Sequence, residues 1–382
     1  SAQDLRDFVL STYRPQAFCQ GRLTLTSGTP VTTADVTTST NVYFTPYNGN
    51  LVGLYDGTSW KLHTFSELTL AIGTVVPFQA YDVFLYDNSG TLTLDKLEWK
   101  NATVTMTIAT PCVVTWTGHG LATGNSITFT TSGALPTGVS ANTQYFVTVI
   151  NANTFKLSTS LINVSSGTFV NTSGSQSGTH TGHSPTARET ALTTQDGVYV
   201  KTGATTRRYL GTFLAVSTTE TCDTYGGAHN SGGKRFLWNM YNRLARPMAV
   251  IDTTDTWTYT TNSWRQTRAT SGNKVEYVQG VSEDPVRALA CSRAQHSSTA
   301  SNFSSGVGVD STSVNSALLN QGSSQAANTT GSVIAKYVGY TAAGYHSLNW
   351  LEYSGPTSGT TTWIGDAGLV YWNMGMSAEV RG

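Results

Sequence analysis

Apolar and polar residues alternate along most of the chain. The segments at 81–86 (YDVFLY) and 92–99 (LTLDKLEW) carry an apolar side chain at almost every second position. A period of two is typical of a β-strand with one buried face. The Asp-Gly pair at 56–57 and the Asn-Ser-Gly run at 88–90 interrupt such segments, as hairpin turns do. The pattern predicts an all-β fold built as a sandwich or a barrel.

Helical spacing is confined to the first residues. Leu5, Phe8 and Val9 form a short apolar stripe at intervals of three and four. Pro15 is expected to end this stripe, because proline cannot donate the next helical hydrogen bond. We therefore predict one helix over 1–14 and strands elsewhere.

The distribution of charge changes abruptly after residue 100. Between 101 and 183 only Lys156 is formally charged, whereas both flanks carry charged residues. The stretch contains alternating segments separated by Gly, Asn and Pro turns. We predict that 101–183 is a compact β module inserted into the first domain, with junctions at Lys100–Asn101 and Ser184–Pro185. An exposed loop tolerates such an insertion when the ends of the module lie close together.

The rest of the chain divides at a glycine-rich stretch. Glycine pairs at 226–227 and 232–233 predict a flexible linker over 216–233. Residues 1–100 together with 184–215 would then form a small N-terminal β attachment domain. Long alternating segments in 234–382 predict a C-terminal β-sandwich of the jelly-roll type.

Charged residues are few, and their charges cancel. Only 12% of the 382 residues are charged, with 22 basic and 22 acidic side chains. This balance predicts no nucleic-acid partner and no polybasic membrane anchor. The sequence also lacks an apolar run long enough to cross a bilayer. Its first residues do not resemble a signal peptide, and the leading serine is typical of a trimmed initiator methionine, so we expect cytoplasmic synthesis.

The four cysteines predict free thiols. Cys19, Cys112, Cys222 and Cys291 are far apart and form no C-x-x-C pair. This spacing is typical neither of a disulfide framework nor of a zinc site. We expect the thiols to be buried and reduced.

The sequence lacks the common catalytic and cofactor-binding motifs, and we predict no enzyme activity, no cofactor and no metal. His180 and His183 lie three residues apart without a nearby third ligand, so we interpret them as a polar loop end. A glycosidase needs two carboxylates, and Asp252 with Asp255, or Glu283–Asp284, would provide them. Both pairs are more typical of turns at strand ends.

Aromatic side chains are the remaining signal, since 10% of the chain is Phe, Trp or Tyr. Exposed aromatic rings could stack against sugars, and buried ones would fill a core or a subunit interface. Alternation with polar residues favours the core or the interface. The candidate glycan-binding or interface aromatics are Trp238, Tyr241, Trp257, Trp264, Trp350, Tyr353, Trp363 and Trp372.

Several motifs resemble structural proteins of tailed-bacteriophage virions. Those within the low-charge module are VTWTGHGL (114–121), TSGALPTGV (131–139), YFV (145–147), NTFKL (153–157) and SGTH (177–180). Those outside it are YDVFLYDNSGTLTLDKLEW (81–99), QDGVYVKTGATTRRYLGTF (195–213) and WNMYNRLARPM (238–248). The first set resembles a β module that recurs in such proteins, and the second resembles tail fibres, head fibres and minor structural proteins. The resemblance implies an oligomeric virion component without catalytic residues.

Three functions remain open at this point. The first is a homotrimeric tail fibre or spike that binds the particle through its N-terminal domain and a host-surface glycan or protein through its C-terminal sandwich. The second is a capsid decoration or head-fibre protein that contacts other virion proteins. The third is a secreted carbohydrate-active enzyme that depends on Asp252 or Asp255. The first two predict a protein made in the bacterial host cytoplasm and located in the virion.

Overall fold

The computed structural model describes residues 14–298, 302–320, 322–324, 326–355, 359–369 and 372–382. Their regular structure is almost entirely β-strand, so the predicted all-β class is confirmed. The helix predicted over 1–14 lies outside the described residues except for Arg14, which precedes a short 3₁₀ turn at Pro15–Ala17. The first strands are β1 Gly21–Thr24, β2 Val36–Ser39, β3 Asn41–Pro46, β4 Leu51–Tyr55, β5 Trp60–Thr64, β6 Leu68–Ala71, β7 Ala80–Asn88 and β8 Thr91–Glu98.

The low-charge stretch contains six strands and one short helix. These elements are β9 Asn101–Met106, β10 Val113–Thr115, β11 Ser126–Thr131, β12 Tyr145–Asn151, β13 Thr154–Ser158, helix α1 Leu161–Ser166 and β14 His180–His183. The strands close into a barrel in the order β10-β13-β12-β11-β14-β9. Its interior holds the buried rings of Trp116, Phe129 and Phe155.

The remaining elements follow the barrel. They are β15 Thr193–Gln195, β16 Val198–Lys201, β17 Ala204–Leu214, β18 Thr221–Thr224, β19 Gly226–His229, β20 Lys234–Arg235, β21 Leu237–Asn239, β22 Ala245–Asp252, β23 Thr256–Tyr259, β24 Trp264–Gln266, a 3₁₀ turn Thr267–Ala269, β25 Lys274–Gln279, β26 Val286–His296, β27 Asn302–Val309, β28 Leu319–Asn320, β29 Gly322–Ser324, β30 Thr330–Gly339, β31 Gly344–Ser354, β32 Thr361–Ile364 and β33 Met374–Arg381.

Both predicted hairpins form around turns that suit their residues. The hairpin β4–β5 turns at Asp56, whose carboxylate accepts hydrogen bonds from the backbone N–H groups of Thr58 and Ser59. The hairpin β7–β8 turns at Ser89 and Gly90, which both have positive φ. Two positive φ angles match the right-handed twist of the paired strands, and glycine adopts this conformation without steric cost.

The barrel interrupts a sheet that continues on its far side. Strand β7 pairs with β8 before the barrel and with β17 after it, in the order β15-β16-β17-β7-β8. The two ends of the barrel meet, since the N–H of Ser184 donates to the carbonyl of Lys100 at 2.9 Å. The six barrel strands all lie within 101–183, the range that the charge pattern marks.

Helix α1 was not predicted from the sequence. Its segment LINVSS offers a single buried apolar residue, Leu161, so no helical stripe is visible. The helix is defined by its ends instead. The hydroxyl of Ser160 accepts a hydrogen bond from the N–H of Asn163, and Gly167 ends the helix in the left-handed conformation.

The C-terminal strands form two sheets with a common core. One sheet has the order β2-β18-β20-β25-β31-β27-β29, with β24 beside β31, and it includes the early strand β2. The other has the order β19-β22-β33-β26-β30-β28, with β32 beside β26 and β23 beside β32. Side chains from both sheets meet in one hydrophobic cluster that includes Met248, Tyr277, Val307 and Trp350. This arrangement is a β-sandwich.

The stretch 216–233 is not the flexible linker that its glycines predict. Strand β18 pairs with β2 and β20, and β19 pairs with β22. The carboxylate of Asp223 is buried and bonds Arg235 at 3.0 Å and Arg246 at 2.5 Å. Some of the glycines there allow close approach, because a Cβ on Gly233 would meet the carbonyl oxygen of Tyr225 at 2.2 Å.

Among the described residues no helix is both long and apolar enough to cross a membrane.

Candidate functional site

Three of the candidate glycan-binding or interface aromatics belong to the protein core. Trp238 is 2% exposed, and Trp350 and Trp363 are fully buried. The ring nitrogen of Trp350 donates to Ser292 at 2.9 Å inside the sandwich. These rings therefore fill the core of this chain, and none of the three can stack on a glycan.

The other five candidate aromatics are half-buried, and three of them lie close together. Trp264 and Tyr353 pair with ring centroids 5.1 Å apart, and Trp257 lies nearby on β23. Trp372 lies under the guanidinium of Arg293, 3.5 Å from it. The remaining residue of the five, Tyr241, stacks with the buried Arg208 of β17 at 4.5 Å.

Of these rings, Trp257 contacts a buried carboxyl, that of Glu352. It accepts hydrogen bonds from Arg265 at 2.6 Å and from the ring nitrogen of Trp257 at 2.7 Å. Burial raises the pKa of Glu352 to about 7, although Arg265 and the hydrogen bonds act to lower it. Each oxygen of the carboxyl has a donor, so this cluster holds β23, β24 and β31 together.

Three of the four carboxylates considered for glycoside hydrolysis are engaged in structural contacts, and the fourth, Asp255, is exposed. Asp252 is buried and bonds Arg268 and Asn273, each at 2.8 Å. Glu283 and Asp284 both bond the guanidinium of Arg243, at 2.7 and 2.9 Å.

All four cysteines are free thiols, as predicted. Cys19, Cys112 and Cys222 are buried, whereas Cys291 is half-buried on β26. Burial raises the pKa of each thiol, and that of Cys222 reaches about 12. These thiols are protonated near neutral pH and are therefore poor nucleophiles.

His180 and His183 do not form a loop end, because both lie on strand β14. Each imidazole is buried and bonds a threonine of the neighbouring strand β11. The hydroxyl of Thr131 lies 2.8 Å from Nδ1 of His180, and that of Thr130 lies 2.8 Å from Nε2 of His183. No group of three His, Cys, Asp or Glu in the described part of the chain is placed to hold a metal ion.

The structure adds a carboxylate to one of these pairs. Nδ1 of His183 lies 2.6 Å from Oε1 of Glu98, the last residue of β8. The same oxygen accepts a weaker hydrogen bond from Gln79 at 3.2 Å. Thr130, His183 and Glu98 thus form a continuous hydrogen-bonded chain where the barrel meets the N-terminal sheet.

Two of these three residues, Thr130 and Glu98, line a cleft of about 480 Å³. The walls come from the N-terminal sheet on one side and from the barrel on the other. They are formed by Thr74, Val75, Val76, Tyr81, Lys96, Glu98, Thr130, Asn142 and Thr218. Volumes of 300–1,000 Å³ are typical of small-molecule sites.

Sequence reasoning missed this cluster. The charge pattern places Glu98 only among the charged residues that flank the module, and no local pattern pairs it with His183 or singles out Thr130. The histidine is 85 positions from the glutamate and 53 from the threonine. One usable signal is that Glu98 lies close to the first predicted junction and His183 close to the second. The two junctions must lie together if the module is inserted into a loop.

Comparisons with known proteins do not identify a family. No protein-family model and no curated protein matches the chain. One similar solved structure is that of the infectious bursal disease virus Gx strain, with 13% sequence identity over 92% of this chain and 76% of the other. Its TM-score of 0.20 is too low to establish a common fold.

Proposed function

We propose that the protein is a structural component of a bacteriophage virion, a homotrimeric tail fibre or spike. One observation carries the proposal. The stretch whose motifs resemble a recurrent phage virion module coincides with a closed barrel whose ends meet at Lys100 and Ser184. A module of this kind can be exchanged between virion proteins without disturbing the sheet that it interrupts.

Exposed apolar side chains on the sandwich support self-association. On the outer face of the sheet that contains β26 and β30, Leu289 is 45% exposed and Ile334 is 47% exposed. Leu319 on β28 is 63% exposed and pairs in register with Lys336, which also faces Leu289. Exposed apolar side chains bordered by charged ones are typical of a subunit interface, and a trimer would bury them.

The neutral surface restricts how a host would be recognised. With 22 basic and 22 acidic residues the chain has no net charge to steer a charged partner. Contact with a host glycan or protein would depend on shape, hydrogen bonds and aromatic stacking. The half-buried rings of Trp264 and Tyr353, on the C-terminal sandwich, are suited to that role.

The location of the protein in the particle tests the proposal. A phage that carries this chain with a small C-terminal tag would be imaged by electron microscopy after labelling of the tag. We expect label at the tail vertex, with density of threefold symmetry. Label on capsid axes would instead establish the alternative, a decoration or head-fibre protein. Particles without label would contradict both virion functions.

A second measurement tests host attachment separately. Excess purified full-length protein should occupy the receptor and reduce phage adsorption to host cells. The variant Leu289→Asp/Ile334→Asp, which is expected not to trimerise, should compete less well. Equal adsorption with and without the protein would contradict the assignment of host contact to this chain.

A further inference from the structure

We propose that Thr130, His183 and Glu98 form an acyl-transfer site that hydrolyses small carboxylic esters, an activity separate from the proposed virion role. Thr130 is the nucleophile, His183 the general base and Glu98 the residue that positions the imidazole. The distances of 2.8 Å and 2.6 Å within the chain match those of a nucleophile, base and orienting carboxylate.

The hydrogen bonds specify which nitrogen of His183 acts as base. A carboxylate can only accept, so Nδ1 of His183 must carry the proton that it shares with Glu98. In the neutral ring Nε2 is then unprotonated and accepts the hydrogen bond of the Thr130 hydroxyl. This is the arrangement in which an imidazole can remove the hydroxyl proton.

The adjacent pair on the same two strands lacks this arrangement. The amide of Gln176 donates to the carbonyl of Met106 at 2.7 Å, which directs its oxygen towards Nε2 of His180 at 3.1 Å. His180 therefore has a neutral orienting partner in place of a carboxylate. An amide cannot stabilise an imidazolium as a carboxylate does, so Thr131 is a matched internal control for Thr130.

The cleft gives a substrate access to Thr130. Thr130 is half-buried and lines the cleft, together with the side chains of Lys96 and Asn142. An ammonium and an amide are donors that can stabilise a developing oxyanion. Tyr81, Val75 and the other apolar wall residues suit the acyl group, and the polar wall residues suit the alcohol.

The reaction requires only an ester and water. Oγ of Thr130 bonds to the ester carbonyl carbon while its proton passes to Nε2 of His183. The bond between that carbon and the alcohol oxygen breaks, and the alcohol leaves with the proton. Water then gives a proton to the same nitrogen and attacks the carbonyl carbon of the acyl-threonine. The bond between that carbon and Oγ breaks, Nε2 returns the proton to Oγ, and the carboxylic acid is released.

The test uses the full-length protein with p-nitrophenyl acetate. Release of p-nitrophenolate gives the rate, and peptide mapping by mass spectrometry after an acid quench locates the acetyl group. The test variant is Thr130→Val, which keeps the branched shape and removes the hydroxyl, and the control is Thr131→Val. Far-ultraviolet circular dichroism and thermal unfolding show whether each variant folds.

We expect acetylation of Thr130 in the wild type and in Thr131→Val. Thr130→Val should lose the adduct and about tenfold or more of the rate, whereas Thr130→Ser should retain activity. The proposal is overturned if Thr130→Val hydrolyses the ester at the wild-type rate, or if the label is found only on other residues. Should Thr130→Val fail to fold, absence of the adduct from wild-type Thr130 decides the question.

Glu98 requires a different measurement, since it acts through His183. Glu98→Gln should lower kcat by about tenfold or more and change KM by less than about twofold. A variant that is merely less folded contains less active protein, so its apparent kcat falls. In that case the ratio between the rate constants of acetylation and deacetylation stays as in the wild type. Unchanged kcat in a folded Glu98→Gln variant would contradict the positioning role.

Discussion

At the scale of single residues, many of the buried polar groups are held by specific partners. His346 on β31 illustrates this, because Nδ1 lies 2.6 Å from the carboxylate of Asp310 and Nε2 lies 2.9 Å from the carbonyl of Ala342. Both partners are acceptors, so both ring nitrogens carry protons and the imidazole is charged. The ring also packs against Tyr277 at 5.5 Å.

This contact makes stability depend on pH. Burial lowers the pKa of His346, but the charge of Asp310 and the hydrogen bonds raise it by more, so that it lies above the ordinary 6.5. The stabilisation is then fully present below pH 6.5 and is lost as pH rises through the pKa of the folded state. We expect the free energy of unfolding in urea to decrease as pH rises above 6.5.

The variant His346→Gln isolates this contribution. It should be less stable than the wild type at pH 6 and should show a smaller decrease at higher pH. Glu352 adds a slope of the same sign between its ordinary pKa of 4.5 and about 7, and this slope should remain in the variant. His63→Gln, on the separate hairpin β4–β5, serves as control. An identical pH dependence of His346→Gln and wild type would refute the assignment.

At the scale of elements, the barrel is the most self-contained unit. Its strands pair only with one another in the closed order, and its core is a separate cluster. Phe146 and Leu161 are the exceptions, since both pack into a cluster shared with the N-terminal sheet and the sandwich. Closure leaves no unpaired strand edge, which removes a principal reason for a β module to need neighbours.

We therefore expect a polypeptide of residues 101–183 to fold without the rest of the chain. Circular dichroism should show β-structure, and heating should give one cooperative transition. Phe129→Ala in this polypeptide should lower the free energy of unfolding by about 3–5 kcal/mol, because Phe129 is fully buried in the barrel. A polypeptide without a cooperative transition would show that the barrel depends on contacts made through Phe146 and Leu161.

At the scale of the whole molecule, the outer face of the sandwich sets the expected assembly. Apolar Leu289 and Ile334 lie there among the charged Arg287, Lys336 and Glu379. An exposed apolar surface bordered by charges is typical of a site of association. Arg287 and Glu379 lie 3.6 Å apart and would form the polar rim of such a contact.

The variant Leu289→Asp/Ile334→Asp should be monomeric. In the trimer the introduced carboxylates would be buried without partners, and the free energy of that burial disfavours association. In the monomer the same carboxylates are exposed to water, so the fold is not affected. Light scattering coupled to size-exclusion chromatography should give three chains for the wild type and one for the variant. Ile150→Asp, at an equally exposed position on the barrel, should remain trimeric. A wild-type mass of one chain would remove the basis for the trimer.

Local sequence patterns were sufficient to predict the all-β class and the positions of two hairpin turns. Alternation predicts strands because the side-chain period of a strand depends on nearest neighbours alone, and the Asp-Gly and Ser-Gly turns depend on φ preferences of single residues. The low charge of 101–183 likewise marked the stretch that closes as a barrel. All of these signals can be read along the chain without knowing which distant residues meet.

Long-range packing settled what local pattern could not. Trp363 and Trp264 look alike in sequence, yet one is buried beside Phe303 and the other is half-buried beside Tyr353. The glycines of 216–233 suggest a flexible backbone, but β18 and β19 in this stretch pair with distant strands. The Thr130–His183–Glu98 chain exists because strand pairing and the meeting of the barrel ends bring distant residues within 3 Å, and no local preference encodes those contacts.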